Sequence, residues 1–321
     1  MTSQPVEAAE SAEATAGPPA PPGAGAARAR LADRESVLAP LFLLPTIVYI
    51  IGLVIVPFFL AIAFSFTDVT AGDPSLDWVG FDNFNAILHD SVFWESLKNS
   101  VVFTVITVAL TLVLAKALAL ILVADFRFKY LVRFLVLLPW TTPIALAAVA
   151  WLWMLDSTYS PIDWVLRQLG LLSGNTVWLG RDHLAQASVI AVQTWRIVPL
   201  AAVIVMAGLM SIPDDIHDAA SIDGAGFWRR LWEITIPLNL PVLAVAGLFG
   251  AIMTLTDMTV VYILTKGGPA NATQVLPSYA FFKSIDGGDL AQGAAIALFL
   301  FPLLLVGVVA ILRAVRRMET M

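Results

Sequence analysis

The sequence predicts an all-α, polytopic membrane protein with six transmembrane helices, and three observations support this prediction. Hydrophobic residues make up 59% of the 321 residues, and the mean hydropathy is +0.84. Charged residues make up 13%, which is about half their share in typical soluble domains. Six stretches are long and apolar enough to cross a bilayer, which takes about 20 residues. They are, approximately, residues 37–66, 101–123, 131–155, 184–210, 238–265 and 290–312.

The segment that precedes the first span differs in composition from the rest of the chain. Residues 1–34 are rich in Ala, Pro, Gly and Glu and contain no aromatic residue. Such a composition cannot bury enough apolar surface to fold, so we expect a disordered cytosolic tail, with a regulatory or docking role as the alternative. Residues 35–321 are expected to form one transmembrane domain.

The basic residues set the expected orientation, because cytosolic loops carry an excess of Lys and Arg. Most basic residues fall before the first span, between the second and third, between the fourth and fifth, and after the sixth. They are Arg28, Arg30, Arg34, Arg127, Lys129, Arg133, Arg229, Arg230, Arg313, Arg316 and Arg317. Both termini, and the loop between the fourth and fifth spans, are therefore expected to be cytosolic. Prolines such as Pro143 are expected to kink several spans.

That loop, residues 211–236, is polar and predicts two short helices joined by a sharp turn. Ser211 is a candidate N-cap, Pro213 suits a first helical turn, and the acid Asp218 favours the positive end of the helix dipole. Gly224 permits the turn, and residues 227–234 can form the second helix. The small side chains of Ala219 and Ala220 leave room for another body, which suits mechanical coupling rather than chemistry.

Polar side chains inside the fourth and fifth spans are candidates for a functional site, because charges at membrane depth are costly. Helical spacing places two sets on one face each: Gln193, Arg196 and Leu200, and Gly250, Thr254 and Asp257. Arg196 lies roughly 18 Å from either end of its span, and Asp257 roughly 10 Å from the external end. These groups suit a hydrogen-bonding ligand such as a sugar, with Trp195 or Trp153 for stacking. Alternatively, Arg196 satisfies helix carbonyls and Asp257 pairs with a neighbouring subunit.

Two further features have competing interpretations. Lys116 lies about 13 Å inside the second span, where partial snorkelling or an interhelical contact is expected. Trp78, Phe93, Trp94, Trp164 and Trp178 are among the aromatic residues in the predicted external loops. They fit either an interfacial aromatic belt or a docking surface.

The chain lacks the residues of several other function classes. It has no cysteine, its three histidines are isolated, and no nucleophile–base pair or metal cluster is visible, so we expect neither catalytic residues nor a metal site. None of its five lysines follows a glycine, which excludes a phosphate-binding loop of the G-x-x-x-x-G-K-[ST] type. The net charge of −6 does not indicate nucleic-acid binding. Since Asp257 alone among the acids lies well inside a span, ion coupling is disfavoured and energy must come from another protein.

Four segments resemble permease subunits of ATP-binding-cassette importers of type I, in the carbohydrate-uptake branch that includes maltose, glycerol-phosphate and trehalose systems. The similarity covers about residues 38–315. Residues 218–241 are similar to the family's E-A-A-x-x-D-G-A…I-x-x-P coupling loop. The other three segments are L-T-K-G-G-P-A-N-A-T at 264–273, W-R-I-V-P at 195–199 and V-G-F-D-N-F at 79–84.

The resemblance implies roles for particular residues. The ATPase-coupling set is Asp218, Ala219, Ala220, Asp223, Gly224 and Arg229, with Asp218 standing where Glu is usual. The substrate-pathway set is Gln193, Arg196, Leu200, Gly250, Thr254 and Asp257. The loop expected to face the binding protein contains Gly267, Gly268, Pro269 and Asn271.

The resemblance also implies a type I permease fold in a bacterial plasma membrane and a set of partners. These are a second homologous permease, two copies of a cytosolic ATPase and an extracellular sugar-binding protein. ATP and Mg would be bound by the ATPase, so no cofactor is expected on this chain. The expected cargo is a disaccharide such as trehalose or a maltose-like sugar. A secondary carrier or channel that works alone, or an intramembrane enzyme, remains as an alternative.

Overall fold

A computed structural model describes residues 35–319, in which the regular elements are helices and one isolated antiparallel bridge joins Thr67 to Trp78. The prediction of an all-α protein is therefore confirmed. The expected N-terminal tail, residues 1–34, lies outside the described residues. The helices, in chain order, are α1 (Glu35–Ile50 and Val56–Ser65, joined by the π-helical turn Ile51–Ile55), α2 (Asp82–Leu88), α3 (Ser91–Val123), α4 (Lys129–Thr141), α5 (Ile144–Met154), α6 (Pro161–Gln168), α7 (Asp182–Met210), α8 (Asp214–Ile222), α9 (Phe227–Leu238, with a π-helical turn at Leu231–Thr235), α10 (Leu240–Leu255), α11 (Thr259–Leu264), α12 (Leu276–Phe281, followed by the π-helical turn Phe282–Asp286), α13 (Leu290–Leu298) and α14 (Leu300–Glu319).

Four stretches of helix are each long and apolar enough to cross a membrane: Phe42–Ser65, Ser91–Val123, Asp182–Met210 and Leu290–Arg313. Two bent pairs, α4 with α5 and α9 with α10, meet the same criterion only when the two helices are taken together. The described residues thus contain four continuous spans, and six if each bent pair crosses as one. The chain divides into two units at Phe59 and Leu60, and the described part of the first unit belongs to α1.

The third predicted span, 131–155, is not one continuous helix. The axes of α4 and α5 meet at 93°, and the break falls at Thr142 and Pro143. Thr142 has an extended backbone (φ −73°, ψ 132°), as expected of a residue that precedes proline. Pro143 was predicted to kink this span, and the structure shows a sharp break there.

The fifth predicted span, 238–265, is also wrong as a single helix. Its start coincides with the 69° bend between α9 and α10, at Asn239, and α10 already ends at Leu255. The three residues 256–258 then separate α10 from the short helix α11. A reading of hydropathy misses this break because the residues on both sides of it are apolar.

The second span begins ten residues earlier than predicted, at Ser91. Its N-terminus is capped by Asp90, whose carboxylate accepts a hydrogen bond of 2.9 Å from the backbone N–H of Val92. Residues 91–100 contain polar side chains such as Lys98, so a prediction based on the length of apolar stretches does not include them. The 33-residue helix is about 50 Å long, so it extends beyond a hydrocarbon core of about 30 Å.

Small residues allow α3, α7 and α10 to pack closely in the second unit. Ala115 and Ala119 of α3 and Ala201 and Ala202 of α7 are fully buried in one cluster at the basic end of the bundle. Gly208 of α7 lies directly against the junction of α9 and α10, because a Cβ there would approach Asn239 Oδ1 to 2.1 Å. Such small contacts are typical of helices that associate within a membrane.

Candidate functional site

The predicted pathway is centred on an ion pair between α7 and the break that follows α10. Arg196 Nη1 lies 2.5 Å from Asp257 Oδ2, and the side chains are 19% and 10% exposed. The other carboxylate oxygen of Asp257 accepts a hydrogen bond of 2.6 Å from the N–H of Thr259, which begins α11. Asp257 therefore caps a short helix and neutralises a buried guanidinium, so the break and the ion pair depend on each other.

This pairing differs from both structural roles considered for these residues in the sequence analysis. Arg196 was a candidate to satisfy helix carbonyls, and Asp257 a candidate to pair with a neighbouring subunit. In the structure they pair with each other. Sequence analysis did not predict this pairing, because the residues are 61 positions apart and the helix break that brings them together was not predicted.

An aromatic side chain that the sequence analysis missed lies beside the ion pair, and a second one packs against it. The guanidinium carbon of Arg196 lies 5.9 Å from the ring centre of Trp140, at the end of α4. Trp140 also packs against Phe249 of α10, with ring centres 5.6 Å apart. A charged pair beside aromatic rings can both hydrogen-bond and stack on a polar ligand. The only signal in the sequence was the position of Trp140 shortly before Pro143.

The expected stacking residues have different surroundings. Trp195 packs edge to face on Trp151, with ring centres 5.5 Å apart, and is 37% exposed. Trp153 is 62% exposed. Of the two, Trp195 is therefore the less exposed, and no contact of either ring with the ion pair is seen among the described residues.

Three of the other predicted pathway residues are engaged inside the bundle. Gln193 is 4% exposed and donates a hydrogen bond of 3.4 Å from Nε2 to the carbonyl of Met253. Thr254 donates from its hydroxyl to the carbonyl of Gly250, at 2.8 Å. Gly250 faces Ile197 across a van der Waals contact, since an added Cβ would lie 3.7 Å from that side chain.

Space around these residues is small in this conformation. Gln193, Thr254 and Asp257 line a cavity of ≈ 20 Å³, which is far below the size of a sugar-binding pocket. Leu200, one turn beyond Arg196, is half-buried and does not line this cavity. The structure thus brings together Gln193, Thr254 and Asp257, and it joins Arg196 to them through Asp257.

The segment from Lys266 to Asn271 forms a tightly turned loop after α11. Lys266, Gly267, Ala270 and Asn271 all have positive φ, and the Gly268–Pro269 peptide is cis. Gly267 is required in its position because a Cβ would meet Gln274 Oε1 at 1.5 Å. Of the four residues predicted to face a binding protein, Asn271 is exposed, whereas Gly267 is buried.

The same loop is held by side chains from two long helices. Asn99 of α3 donates from Nδ2 towards three backbone carbonyls, those of Asn271 at 3.3 Å and of Ala272 and Gln274 at 3.0 Å. Gln186 of α7 donates to the carbonyl of Ala272 at 2.9 Å. Hydrogen bonds from α3 and α7 therefore hold the backbone of this loop, in addition to the contacts within the loop itself.

A second polar cluster lies nearby, where α3 begins. Tyr279 of α12 donates a hydrogen bond to the carboxylate of Asp90, and Lys283 Nζ lies 3.6 Å from the same group. Burial disfavours the charged carboxylate, but the hydrogen bonds from Tyr279 and Val92 and the charge of Lys283 outweigh it and lower the pKa of Asp90. Burial, together with the neighbouring carboxylate, raises the pKa of Tyr279.

At the opposite, basic end of the bundle, α8 and α9 form the predicted helix–turn–helix. Gly224 has φ +72°, in the left-handed region, and no atom lies within 4 Å of the position where a Cβ would stand. The N–H of Ala225 closes the turn on the carbonyl of Ala220, at 2.9 Å. The second helix is tied back to the first because Arg230 donates to the hydroxyl of Ser221, at 3.2 Å.

The outer surface of α8 combines acidic, small and apolar side chains. Asp218, Ala219 and Asp223 are exposed, whereas Ala220 is 6% exposed and packs inward. Ile222, which the sequence analysis did not single out, is 86% exposed. Arg229 pairs with Glu233 at 2.9 Å along α9, and this charge pair raises the pKa of Arg229.

One part of the predicted geometry of this segment is wrong. Ser211 does not cap α8, since it ends α7 and its hydroxyl donates to the carbonyl of Gly208 at 2.8 Å. Pro213 precedes α8 instead of occupying its first turn, with ψ 140°. Only three residues, 211–213, connect α7 to α8, so Ser211 closes the first helix where the pattern indicated the start of the second.

Lys116 lies in unexpected surroundings. It is 8% exposed and lines an apolar groove of ≈ 710 Å³ between α3, α9 and α10, whose walls include Trp228 and Trp232. Its Nζ is buried and has no hydrogen-bond or ion-pair partner among the described residues. Snorkelling to the surface is therefore not observed. Lys116 does lie among residues of other helices, as the alternative of an interhelical contact expects, but its Nζ makes no hydrogen bond within the described part of the chain.

The chain matches a family described as "Binding-protein-dependent transport system inner membrane component" over residues 108–320. It is 33% identical to the trehalose/maltose transport system permease protein of Thermococcus litoralis, covering 86% of this chain and 92% of that one. It is 32% identical to the sulfoquinovosyl glycerol transport system permease protein of Agrobacterium fabrum (89% and 92%), and 31% identical to the diacetylchitobiose uptake system permease protein of Streptomyces coelicolor (92% of each).

A similar fold is found in the solved structure of a bacterial ABC transporter involved in the import of the acidic polysaccharide alginate. The TM-score is 0.76 at 21% sequence identity, over 90% of this chain and 99% of that one. The family confirms a multi-pass membrane protein and a transport subunit rather than an enzyme. The chain belongs to the family of binding-protein-dependent transport system inner membrane components, and within it to the permease subunits of carbohydrate ATP-binding-cassette importers.

Proposed function

We propose that this chain forms half of the membrane pathway for a neutral disaccharide, such as trehalose or a maltose-like sugar. The other half would come from a second homologous permease, the energy from two copies of a cytosolic ATPase, and the sugar from an extracellular binding protein. In support, a structure of similar fold is an alginate transporter in complex with a pentasaccharide-bound periplasmic protein. ATP and Mg would be bound by the ATPase, and this chain would bind no cofactor.

The observation that carries the proposal is the Arg196–Asp257 pair beside Trp140. In an outward-open state, the guanidinium and carboxylate would offer donors and acceptors to sugar hydroxyls, and Trp140 would offer an aromatic face. Because the two charges neutralise each other at 2.5 Å, the site carries no net charge for an acidic sugar to meet. This favours a neutral cargo over a sulfonated one such as that named for the Agrobacterium fabrum relative.

The remaining pathway positions would act from behind this pair. Gln193, Thr254 and Gly250 pack within the bundle and would hold the break around Asp257, and Leu200 would line the pathway one turn further along α7. Gly267, Gly268, Pro269 and Asn271 would present the loop to the binding protein.

The coupling segment would transmit the motion of the ATPase. The exposed face of α8, with Asp218, Ala219 and Ile222, would dock in the ATPase, while Asp223, Gly224 and Arg229 would set the angle of the following helix. The buried Ala220 would link this face to the bundle. The basic end of the bundle, and with it both termini, would then be cytosolic.

Uptake by the complete complex in proteoliposomes tests this proposal. With ATP inside and a panel of labelled sugars and binding protein outside, we expect accumulation of a neutral disaccharide, and we expect Trp140→Ala to reduce it at least tenfold without loss of assembly. Phe128→Ala, which removes an aromatic ring 62% exposed near the start of α4, is the matched control. Uptake of acidic glycosides alone, or accumulation without the ATPase, would contradict the proposal.

A further inference from the structure

The small cavity between α3, α7 and the break after α10 has the volume of a water site. At ≈ 20 Å³ it exceeds the roughly 10–15 Å³ that one water molecule requires, and it has no room for a second. Its polar lining consists of Ser100, Thr107, Gln193, Thr254 and Asp257. A water molecule is held in such a place only when polar groups supply two to four hydrogen bonds.

Two of these side chains have buried polar atoms without a partner among the described residues. They are the hydroxyl of Thr107, which is fully buried, and Oε1 of Gln193, which is 4% exposed. The two residues lie on different long helices, α3 and α7, yet they line the same cavity. Since more than nine in ten buried polar groups find a partner, two unpaired atoms around one small cavity indicate a missing ligand.

Each of the other polar groups in the lining already has a hydrogen-bond partner. The hydroxyl of Ser100 donates to Ser96 and accepts from the N–H of Leu276, both at 2.8 Å. The hydroxyl of Thr254 donates to the carbonyl of Gly250. The carboxylate of Asp257 accepts from Arg196 and Thr259, and a carboxylate can accept further hydrogen bonds.

We propose that this cavity binds one water molecule, which accepts a hydrogen bond from Thr107 and donates to Gln193 Oε1 and to Asp257. These three bonds match the donors and acceptors of water and leave none of the three side chains unsatisfied. The water ties α3 and α7 to the break that precedes α11. Gln193 strengthens the same connection, since its Nε2 donates to the carbonyl of Met253 in the last turn of α10. The inference holds whatever the importer carries.

Replacing Thr107 with valine, which has nearly the same shape, tests the proposal through the sign of its effect. If the water is present, the variant removes one of its partners, and we expect the melting temperature of the assembly purified from membranes to fall by about 2–4 °C. If the cavity is dry, the variant removes an unpaired buried hydroxyl and leaves the melting temperature unchanged or raises it.

Thr111→Val is the matched control. Thr111 lies one turn further along α3 and is 1% exposed, and its hydroxyl also lacks a hydrogen-bond partner among the described residues. Unlike Thr107, it does not line the cavity. We expect no loss of stability from it. Amide hydrogen exchange of α11 should become faster in Thr107→Val and not in Thr111→Val, which separates a local connection from a general loss of stability. Equal behaviour of the two variants in both measurements would overturn the proposal.

Discussion

Replacing Gly224 with valine should uncouple ATP hydrolysis in the assembled importer from sugar uptake. Gly224 stands at φ +72°, where an L-residue costs about 1–2 kcal/mol and a β-branched residue tends toward the upper end. No atom lies within 4 Å of the added Cβ, so the cost is in the backbone and not in a clash. This free energy shifts the equilibrium away from the observed turn by about 5- to 30-fold.

The assay measures sugar accumulated per ATP hydrolysed in proteoliposomes that contain the whole complex. We expect this ratio to fall by about 5- to 30-fold in Gly224→Val, with the amount of assembled complex unchanged. Gly224→Asn should retain most of the coupling, because asparagine tolerates the left-handed conformation. Ordinary coupling in the valine variant would refute the role given to this turn.

Gly226→Ser provides the matched control for that experiment. Gly226 lies two residues further on, is equally open, and has φ −65° and ψ 169°, which any residue adopts. It occupies the N-cap of α9, where serine is favoured. We expect coupling close to that of the unmodified complex. A loss as large as that of Gly224→Val would show that the segment tolerates no side chain, whatever its backbone conformation.

Three further predictions concern the rest of the molecule. Asp257→Ala should impair uptake while the complex still assembles, with a loss of stability of about 3–5 kcal/mol because Arg196 stays buried without its partner. Adding Arg196→Gln to this variant should restore part of the stability. Unchanged uptake kinetics in Asp257→Ala would show that this residue is structural. Asn99→Leu removes the hydrogen bonds that Asn99 donates to the loop, so trypsin should cut after the exposed Lys266 faster than in the unmodified protein. Equal cleavage rates would show that the loop keeps its conformation without Asn99. Since the folded-state pKa of Asp90 is lowered, its stabilising contribution is present above the ordinary value of 3.8 and is lost as the pH falls through the folded-state value, so Asp90→Asn should flatten the acid limb of a plot of melting temperature against pH.

Most of the helical architecture could be predicted from apolar length, because a membrane span must satisfy its own backbone hydrogen bonds. The starts and breaks of the spans could not. Ser91 begins a helix inside a stretch that looks polar, and Asp257 precedes the start of α11 inside a stretch that looks apolar. In both places a single capping carboxylate decides the boundary, and hydropathy averaged over a window does not register one residue.

The turn of the coupling segment was predictable because only a glycine adopts φ +72° without strain, and Gly224 follows a short run with helix-start signals. The candidate pathway was predictable only as two helix faces. Whether Arg196 and Asp257 meet depends on the bend that ends α10, and the place of Trp140 depends on the break at Pro143. These are tertiary features, and each joins residues far apart in the chain.

Cysteine cross-linking at the coupling surface tests the central claim most directly, namely that a separate ATPase drives this subunit through the turn at Gly224. The chain contains no cysteine, so a single one introduced by Ile222→Cys, at a side chain 86% exposed, reports unambiguously. We expect it to cross-link to the ATPase in the assembled complex, with a yield that changes when ATP is added. Ile285→Cys, at a side chain 61% exposed at the other end of the bundle, should not cross-link to it. A cross-link from residue 285 and none from residue 222 would contradict the account.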